Sequence, residues 1–169
     1  MGLMTDSPLT DSSSSPFGGW AISKQLFEWV LSLLPEKSTI LELGSGSGTQ
    51  QLARHFRMVS VEHDPDFVGR YDSTYIYAPI VNGWYDAVMI GSELSRLSVQ
   101  YDLLLVDGPP KQIGRTGILL NLGLFDLTKP IVLDDVHRAP ERQLLDELAT
   151  RVGRLPTIFS DDTKSFGVL

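Results

Sequence analysis

Three glycines stand at every second position, directly after an apolar run that contains one acidic residue. The segment is TILELGSGSGTQQL, with the acid at Glu42 and the glycines at Gly44, Gly46 and Gly48. A glycine-rich turn between a buried strand and a helix lets backbone N–H groups approach a ligand closely, and the helix start favours a negatively charged group. The segment therefore predicts a cofactor-binding turn.

The residues around the glycines discriminate between cofactors. A phosphate-binding P-loop ends in Gly-Lys-Ser/Thr, whereas Gly48 is followed by Thr49 and Gln50. The dinucleotide pattern G-x-G-x-x-G has Thr49 in place of its third glycine, and a carboxylate at Glu42 would repel a pyrophosphate. A positively charged ligand would be attracted instead. S-adenosylmethionine fits this requirement because it carries an ammonium and a sulfonium group.

A second acidic residue, Glu62, ends the next apolar run, VSVE, about 20 residues after the first glycine. An acid at this place in nucleotide-binding α/β proteins accepts hydrogen bonds from ribose hydroxyls. S-adenosylmethionine and NAD both contain a ribose. Glu62 therefore supports a nucleoside cofactor without separating the two.

Three more carboxylates end two later apolar runs. Asp107 follows YDLLLV, and Asp134 and Asp135 follow PIVL. If these runs are neighbouring parallel strands, the carboxylates lie close together, and their repulsion raises a pKa or requires a cation such as Mg²⁺. In the alternative interpretation, Asp107 faces the positive end of the cofactor while Asp134 or Asp135 caps the next helix. The sequence leaves both open.

Other side chains near the expected pocket are candidates for a general base or for residues that line the pocket. His137 follows the fifth strand, and its ordinary pKa suits removal of a proton from a hydroxyl; Lys111 is the rival base. Lys111 and Arg115 lie in the loop after Asp107. A charged side chain in such a loop is more often solvated than bound to an anionic ligand, so both are expected to be solvated. Trp84 and Tyr85 fit either a pocket wall or ordinary packing.

Apolar runs and helical periodicities alternate along the chain and would position these residues. The predicted strands are STILELG, MVSVEHD, STYIYAPIV, YDLLLVDGPP and PIVLDD, with a closing hairpin of PTIFS and SFGVL. The predicted helices are GGWAISKQLFEWVLSLLP, TQQLARHF, YDAVMIGSELSRL, GRTGILLNLGLF and APERQLLDELATRV. This alternation predicts an α/β fold with an open, doubly wound, mostly parallel sheet that binds ligands at the carboxyl ends of its strands. Residues 1–17 are predicted to be a flexible tail and residues 18–169 a single domain.

Four segments in order resemble class I S-adenosylmethionine-dependent methyltransferases, which have a Rossmann-like fold. ILELGSGSG resembles their first motif, VSVEHD the second, YDLLLVDGPP the fourth, and PIVLDD their fifth strand, while KSFGVL is similar to their antiparallel last strand. The resemblance implies an enzyme of small bacterial type, similar to O-methyltransferases. It implies cofactor contacts at Glu42, Gly44, Gly46, Gly48, Glu62 and His63. Ser45 and Asp107 are also expected at the cofactor, and Asp107, Lys111 and His137 are the candidate catalytic residues. Asp107, Asp134 and Asp135 resemble the metal site of catechol-type O-methyltransferases, with Asp135 where an amide is usual.

The composition of the chain excludes some types of site and argues against some classes of binding partner. The chain has 169 residues, a net charge of −7 and no cysteine, so disulfides and zinc–thiolate sites are excluded. The absence of a cluster of basic residues argues against a nucleic-acid partner, and no apolar run is long enough for a membrane span. The start of the chain lacks the pattern of a signal peptide, so a cytoplasmic location is expected.

Three functions remain compatible with these patterns. The first is transfer of a methyl group from S-adenosylmethionine, with oxygen of a small polar metabolite or glycan precursor as the favoured acceptor. The second is an NAD-dependent oxidoreductase on a similar sheet, which the absence of a third fingerprint glycine disfavours. The third is a non-catalytic module that binds S-adenosylmethionine.

Overall fold

The computed structural model describes residues 22–169. The predicted tail at 1–17, and residues 18–21 of the predicted domain, lie outside the described residues. The strands are β1 (Thr39–Leu43), β2 (Arg57–Glu62), β3 (Thr74–Tyr77), β4 (Ile80–Val81), β5 (Trp84–Tyr85), β6 (Leu103–Val106), β7 (Ile131–Leu133), β8 (Thr157–Ser160) and β9 (Ser165–Val168). The α-helices are α1 (Lys24–Leu33), α2 (Ser47–Leu52), α3 (Ala87–Arg96) and α4 (Ala139–Val152).

The main sheet has seven strands in the order β3-β2-β1-β6-β7-β9-β8. Strands β3, β2, β1, β6 and β7 are parallel, whereas β9 is antiparallel to both β7 and β8. The strand order reverses between β1 and β6, which is where open α/β sheets bind ligands. The predicted α/β fold class, its mostly parallel sheet and its antiparallel last strand are confirmed.

Helices cover both faces of this sheet because the central strands are apolar on both sides. In β1, Ile40 packs into the core beneath α1 and α2, while Leu41 and Leu43 pack into the core on the other face. On the first face lie Leu26, Val30, Leu52, Phe56 and Phe166; on the second lie Ile90, Leu144, Leu145 and Leu148. A central parallel strand is buried on both faces, which is why these segments read as continuous apolar runs.

The predicted third strand is shorter than expected. It ends at Tyr77, and β4 and β5 then form a separate antiparallel hairpin around Asn82 and Gly83, both of which have positive φ, 52° and 81°. Asn-Gly is the preferred pair for such a tight turn because both positions require the left-handed region. The following helix therefore begins only after Asp86, whose side chain accepts hydrogen bonds from two backbone N–H groups of α3.

The segment predicted as a helix after the fourth parallel strand is also different. It forms two short 3-10 helices, Thr116–Leu120 and Leu122–Leu124. A Cβ at Gly117 would collide with the ring of Trp84, so close packing of this segment against β5 requires a glycine there. No helix within residues 22–169 combines the length and the apolar character needed to cross a membrane.

Candidate functional site

The turn after β1 packs directly against the turn after β6. Gly44 has a φ of 87°, and a Cβ placed on it would lie 2.9 Å from the Cα of Gly108. Only glycine tolerates both that conformation and that distance. The two turns border a cavity of about 880 Å³ along the carboxyl ends of the parallel strands, a size typical of a cofactor site.

Several predicted cofactor residues line this cavity. Its lining includes Gly44, Ser45, Gly46, Glu62, His63 and Asp107, together with Ser47, Asp64, Phe67, Arg70, Tyr71, Tyr85, Gly108, Pro110, Lys111, Gln112, Arg115, Asp135, Arg138 and Lys164. Gly48 does not line it. A Cβ on Gly48 would lie 3.0 Å from a side-chain carbon of Ile22, so this glycine permits packing of α2 beneath the residue that precedes α1.

Glu62 joins the turn after β1 to the turn after β2. One carboxylate oxygen accepts hydrogen bonds from the backbone N–H of Ser45, at 3.0 Å, and from its hydroxyl, at 2.8 Å. The other accepts from the N–H groups of His63 and Asp64, at 2.8 and 2.9 Å. A carboxylate offers about four acceptor positions, so these donors nearly satisfy it. The other three donors are backbone N–H groups, so of these four the Ser45 hydroxyl is the donor that can rotate away to admit a ribose hydroxyl.

Glu42 was expected at the cofactor, but it does not line the cavity. Its carboxyl is buried and is not part of the cavity wall; it accepts from the hydroxyls of Ser60 and Thr49, the latter at 2.7 Å. The Thr49 hydroxyl oxygen accepts in turn from the N–H of Gly46, at 2.9 Å. Glu42 thus supports the glycine turn through Thr49 and does not line the cavity. Burial raises the pKa of Glu42 to about 7, which the bonds from Ser60 and Thr49 only partly oppose, so its repulsion of a pyrophosphate is weaker than the sequence implied.

The predicted acid cluster exists. Oxygen atoms of Asp107, Asp134 and Asp135 lie within 4.8 Å of one another because β6 and β7 are parallel neighbours. Burial and the charge of Asp134 raise the pKa of Asp107 well above its usual range, and burial and the charge of Asp135 raise that of Asp134. Such a cluster requires a cation or bound protons.

The cation is the guanidinium of Arg115. Its Nη2 donates to the Asp107 carboxylate at 3.2 Å and to the Asp135 carboxylate at 2.9 Å, and its Nη1 donates to the carbonyl oxygen of Asp134 at 2.8 Å. Burial acts to lower the pKa of Arg115, but the surrounding carboxylates raise it overall. The expectation that Arg115 is a solvated charge is wrong: 4% of its surface is exposed.

A divalent metal ion fits this cluster poorly. Asp135 is already shared by two arginines, since Nη1 of Arg138 lies 2.8 Å from the same carboxylate oxygen that Arg115 contacts. An Mg²⁺ ion between Asp107 and Asp135 would lie beside a buried guanidinium and be repelled by it. The three acids were correctly predicted to meet, but the side chains around them do not favour the predicted metal.

Tyr85 is a cavity residue that the sequence did not separate from ordinary packing. Its side chain is 2% exposed, and its hydroxyl has no hydrogen-bond partner within the described part of the chain. Burial and the charge of Glu62 raise its pKa well above 10, so the hydroxyl keeps its proton and can only be used as a donor or neutral acceptor. A buried hydroxyl without a partner is costly, which indicates a polar ligand group.

The two predicted bases have different positions. Lys111 lines the cavity and is exposed. His137 is exposed and does not line the cavity, and its Nδ1 accepts from the backbone N–H of Ser165 at 3.3 Å. The geometry therefore gives no support to His137 as a general base.

Comparisons with known proteins give the fold its context. No protein-family model and no curated protein sequence matches the chain. An rRNA methylase from Streptococcus thermophilus is similar in structure, with a TM-score of 0.55 and 8% identity over 85% of this chain and 92% of that one. Fibrillarin from Aeropyrum pernix, in complex with natively bound S-adenosyl-L-methionine, has a TM-score of 0.53 and 17% identity over 85% and 73% of the two chains. A methyltransferase from Pyrococcus furiosus has a TM-score of 0.50 and 14% identity over 85% and 79%. The chain therefore has the fold of class I S-adenosylmethionine-dependent methyltransferases.

Proposed function

We propose that this protein is an S-adenosylmethionine-dependent methyltransferase that acts on an oxygen atom of a small polar metabolite or glycan precursor. The observation that carries the proposal is the continuity of one cavity, from the glycine turn and Glu62 to Asp107 and Tyr85. A cofactor held at the first end and an acceptor held at the second can meet inside it.

The cofactor-facing residues fit the chemistry of S-adenosylmethionine. Glu62 is placed to accept a ribose hydroxyl where the Ser45 hydroxyl now donates. Gly44 and Gly46 present the backbone of the turn to the cavity without side chains. The carboxylate of Asp107, near the strand crossover, favours the positive charge of a sulfonium. When bound, S-adenosylmethionine supplies an electrophilic methyl group.

We favour Asp107 over Lys111 as the base, because the Asp107 carboxylate is held in the cavity wall by Arg115 whereas Lys111 is exposed. Burial and the charge of Asp134 raise the pKa of Asp107, so its carboxylate accepts a proton more readily than an ordinary carboxylate does. Asp107 would accept that proton while the new oxygen–carbon bond forms and the carbon–sulfur bond breaks. Arg115 would keep the carboxylate in place, and the Tyr85 hydroxyl would donate a hydrogen bond to cofactor or acceptor.

Ligand stabilisation followed by turnover tests the proposal. S-adenosylhomocysteine should raise the melting temperature at concentrations where NAD does not, because the glycine turn lacks the third glycine of the dinucleotide pattern. Stabilisation by NAD alone would support the oxidoreductase instead.

Transfer of a labelled methyl group to a panel of hydroxylated metabolites, sugars and RNA then identifies the acceptor class. We expect small hydroxylated compounds to be labelled and RNA not to be, since the chain has a net charge of −7. Binding of S-adenosylhomocysteine without labelling of any class would favour the non-catalytic module.

A further inference from the structure

A second cavity of about 460 Å³ lies beside the first, against the start of α4. The two cavities share Lys111, Gln112, Arg115 and Arg138 as lining residues. The rest of the second cavity is lined by Gly114, Thr116, Pro140, Glu141 and Leu144. The two cavities meet at these shared residues, so a molecule bound in the second cavity would lie next to the acid cluster.

Glu141 gives this cavity a buried acceptor. The residue lies in the first turn of α4 and is 4% exposed, yet its Oε2 has no hydrogen-bond partner among residues 22–169. The helix N-terminus favours a carboxylate at this position but does not supply a hydrogen bond to Oε2. An unsatisfied carboxylate oxygen is costly when buried, and a ligand with an ammonium or hydroxyl group would relieve that cost.

Besides Arg115, whose guanidinium is bound to the acid cluster, two cations line the same cavity. Lys111 is exposed and forms no ion pair within the described residues. Arg138 directs Nη1 to Asp135 at 2.8 Å, which leaves the rest of its guanidinium fork to other acceptors. Lysine and arginine in a partly enclosed cavity are suited to a carboxylate or phosphate group. The cavity therefore combines a site for an anion with a site for a hydrogen-bond donor.

We propose that this second cavity is the acceptor subsite, and that it selects a small acid, carboxylate or phosphate, that also carries a hydroxyl or ammonium group. Lys111 and Arg138 bind the anionic group, and Glu141 accepts from the donor group. The assignment rests on the proposed methyltransferase function. It requires that a further hydroxyl of the acceptor, the one that receives the methyl group, extends from the second cavity into the first. Leu144 and Pro140 supply the apolar part of the wall.

Calorimetry with the full chain, with and without S-adenosylhomocysteine, tests the subsite with four probes of stepwise chemistry. The probes are glycerol, inorganic phosphate, glycerol 3-phosphate and glycerate. We expect no binding of glycerol and weak binding of inorganic phosphate. Either glycerol 3-phosphate or glycerate, depending on which anion the site prefers, should bind at least tenfold more tightly than inorganic phosphate. Comparison of the last two separates a phosphate from a carboxylate source.

Two variants assign the contacts. Lys111→Gln should weaken every anionic probe about tenfold. Glu141→Met removes the accepting oxygen, which a glutamine would keep, and should weaken only those probes that also carry a hydroxyl, also about tenfold, without weakening inorganic phosphate. Lys24→Gln and Glu147→Met are the matched controls, because Lys24 and Glu147 line neither cavity. Lys111 is exposed, so its variant should fold even if the Glu141 variant does not.

The outcomes separate this inference from the proposed function. If S-adenosylhomocysteine binds normally but no anionic probe does, or if Lys111→Gln leaves anion affinity unchanged, the subsite is wrong and the methyltransferase proposal stands. If S-adenosylhomocysteine fails to bind, the proposed function is wrong. In that case anion binding that depends on Lys111 would still establish a small-acid site in the second cavity.

Discussion

Replacing Arg115 by methionine tests whether its guanidinium is the cation that stabilises the acid cluster. Methionine keeps an unbranched side chain but removes the charge and the N–H donors. The guanidinium donates to the carbonyl oxygens of Asp107 and Asp134 and to the carboxylates of Asp107 and Asp135. Removing one partner of a buried ion pair costs about 3–5 kcal/mol, so we expect the free energy of unfolding at pH 8 to fall by that amount.

The loss should shrink as the pH falls. Burial raises the pKa of both Asp107 and Asp134, and Arg115 is among the groups that oppose this rise, so both pKa values should rise further in the variant. An acid whose folded-state pKa exceeds its unfolded value binds protons on folding, and it therefore favours the folded state more strongly as the pH falls toward the unfolded pKa. The difference between wild type and Arg115→Met should be smaller at pH 5 than at pH 8.

Urea unfolding at the two pH values, with and without added Mg²⁺, measures these differences. Arg96→Met is the control, since Arg96 pairs with Glu93 on the exposed side of α3 and its loss should have little effect. An equal loss for both variants would refute the role of Arg115 in the cluster. Stabilisation of the wild type by Mg²⁺ would contradict the conclusion that the guanidinium leaves no favourable place for a metal.

Four other expectations follow from the cavity wall and its supports. Glu62→Ala should lower the affinity for S-adenosylhomocysteine by about tenfold to a hundredfold, because a charge-assisted hydrogen bond is lost, and equal affinity in calorimetry would remove the ribose assignment. Tyr85→Phe should lower methyl transfer or cofactor affinity about tenfold without lowering the free energy of unfolding, since its hydroxyl has no partner within residues 22–169; unchanged binding and turnover would make it a packing residue. The contribution of Glu42 to the free energy of unfolding should fall by about 3 kcal/mol as the pH rises from 4.5 to 7, because its pKa is about 7 in the fold, and pH-dependent unfolding of Glu42→Gln should show a decrease smaller than that of the wild type by this amount. EDTA should leave methyl transfer unchanged, and loss of turnover restored by Mg²⁺ would reinstate a metal.

The sheet was predictable because its central strands are short, uniformly apolar and separated by helical periodicities. The same regularity predicted that Asp107 would meet Asp134 and Asp135, since the ends of neighbouring parallel strands lie at one edge. The place of Glu62 beside the glycine turn was predictable from its distance to Gly44 along the chain, whereas its contact with a ribose stays a prediction. These inferences depend only on strand order and spacing, which repeat in many sequences.

The local sequence contains a pattern that indicates the position of Tyr85, although the prediction of a long third strand does not use it. Asn82-Gly83 between two short apolar pairs is typical of a tight hairpin, but the apolar character of the whole run STYIYAPIV predicts one long strand there. Once the hairpin forms, Asp86 caps the next helix, and Tyr85 falls on a strand at the cavity instead of in that helix.

No local sequence pattern indicates that Arg115 is buried in the acid cluster. Its partners, Asp107, Asp134 and Asp135, come from two different strands, and its own segment resembles a helix although it folds into 3-10 turns. A basic residue in a loop after a strand is usually solvated, and only three-dimensional packing places this one among carboxylates.

The first motif contains residues with two kinds of role, and spacing alone does not separate them. Gly44 and Gly46 face the cavity, whereas Gly48 packs against Ile22 and Glu42 is buried beneath the turn. β1 is central, so a carboxyl on it must find hydrogen bonds inside the protein, and Thr49 provides one. Because Thr49 also accepts from Gly46, the conformation of the ligand-facing turn depends on a carboxyl that does not line the ligand's cavity. Cofactor affinity should therefore respond to Glu42 substitutions through the shape of the turn, so Glu42→Ala should weaken binding more than Glu42→Gln, which still accepts from Thr49.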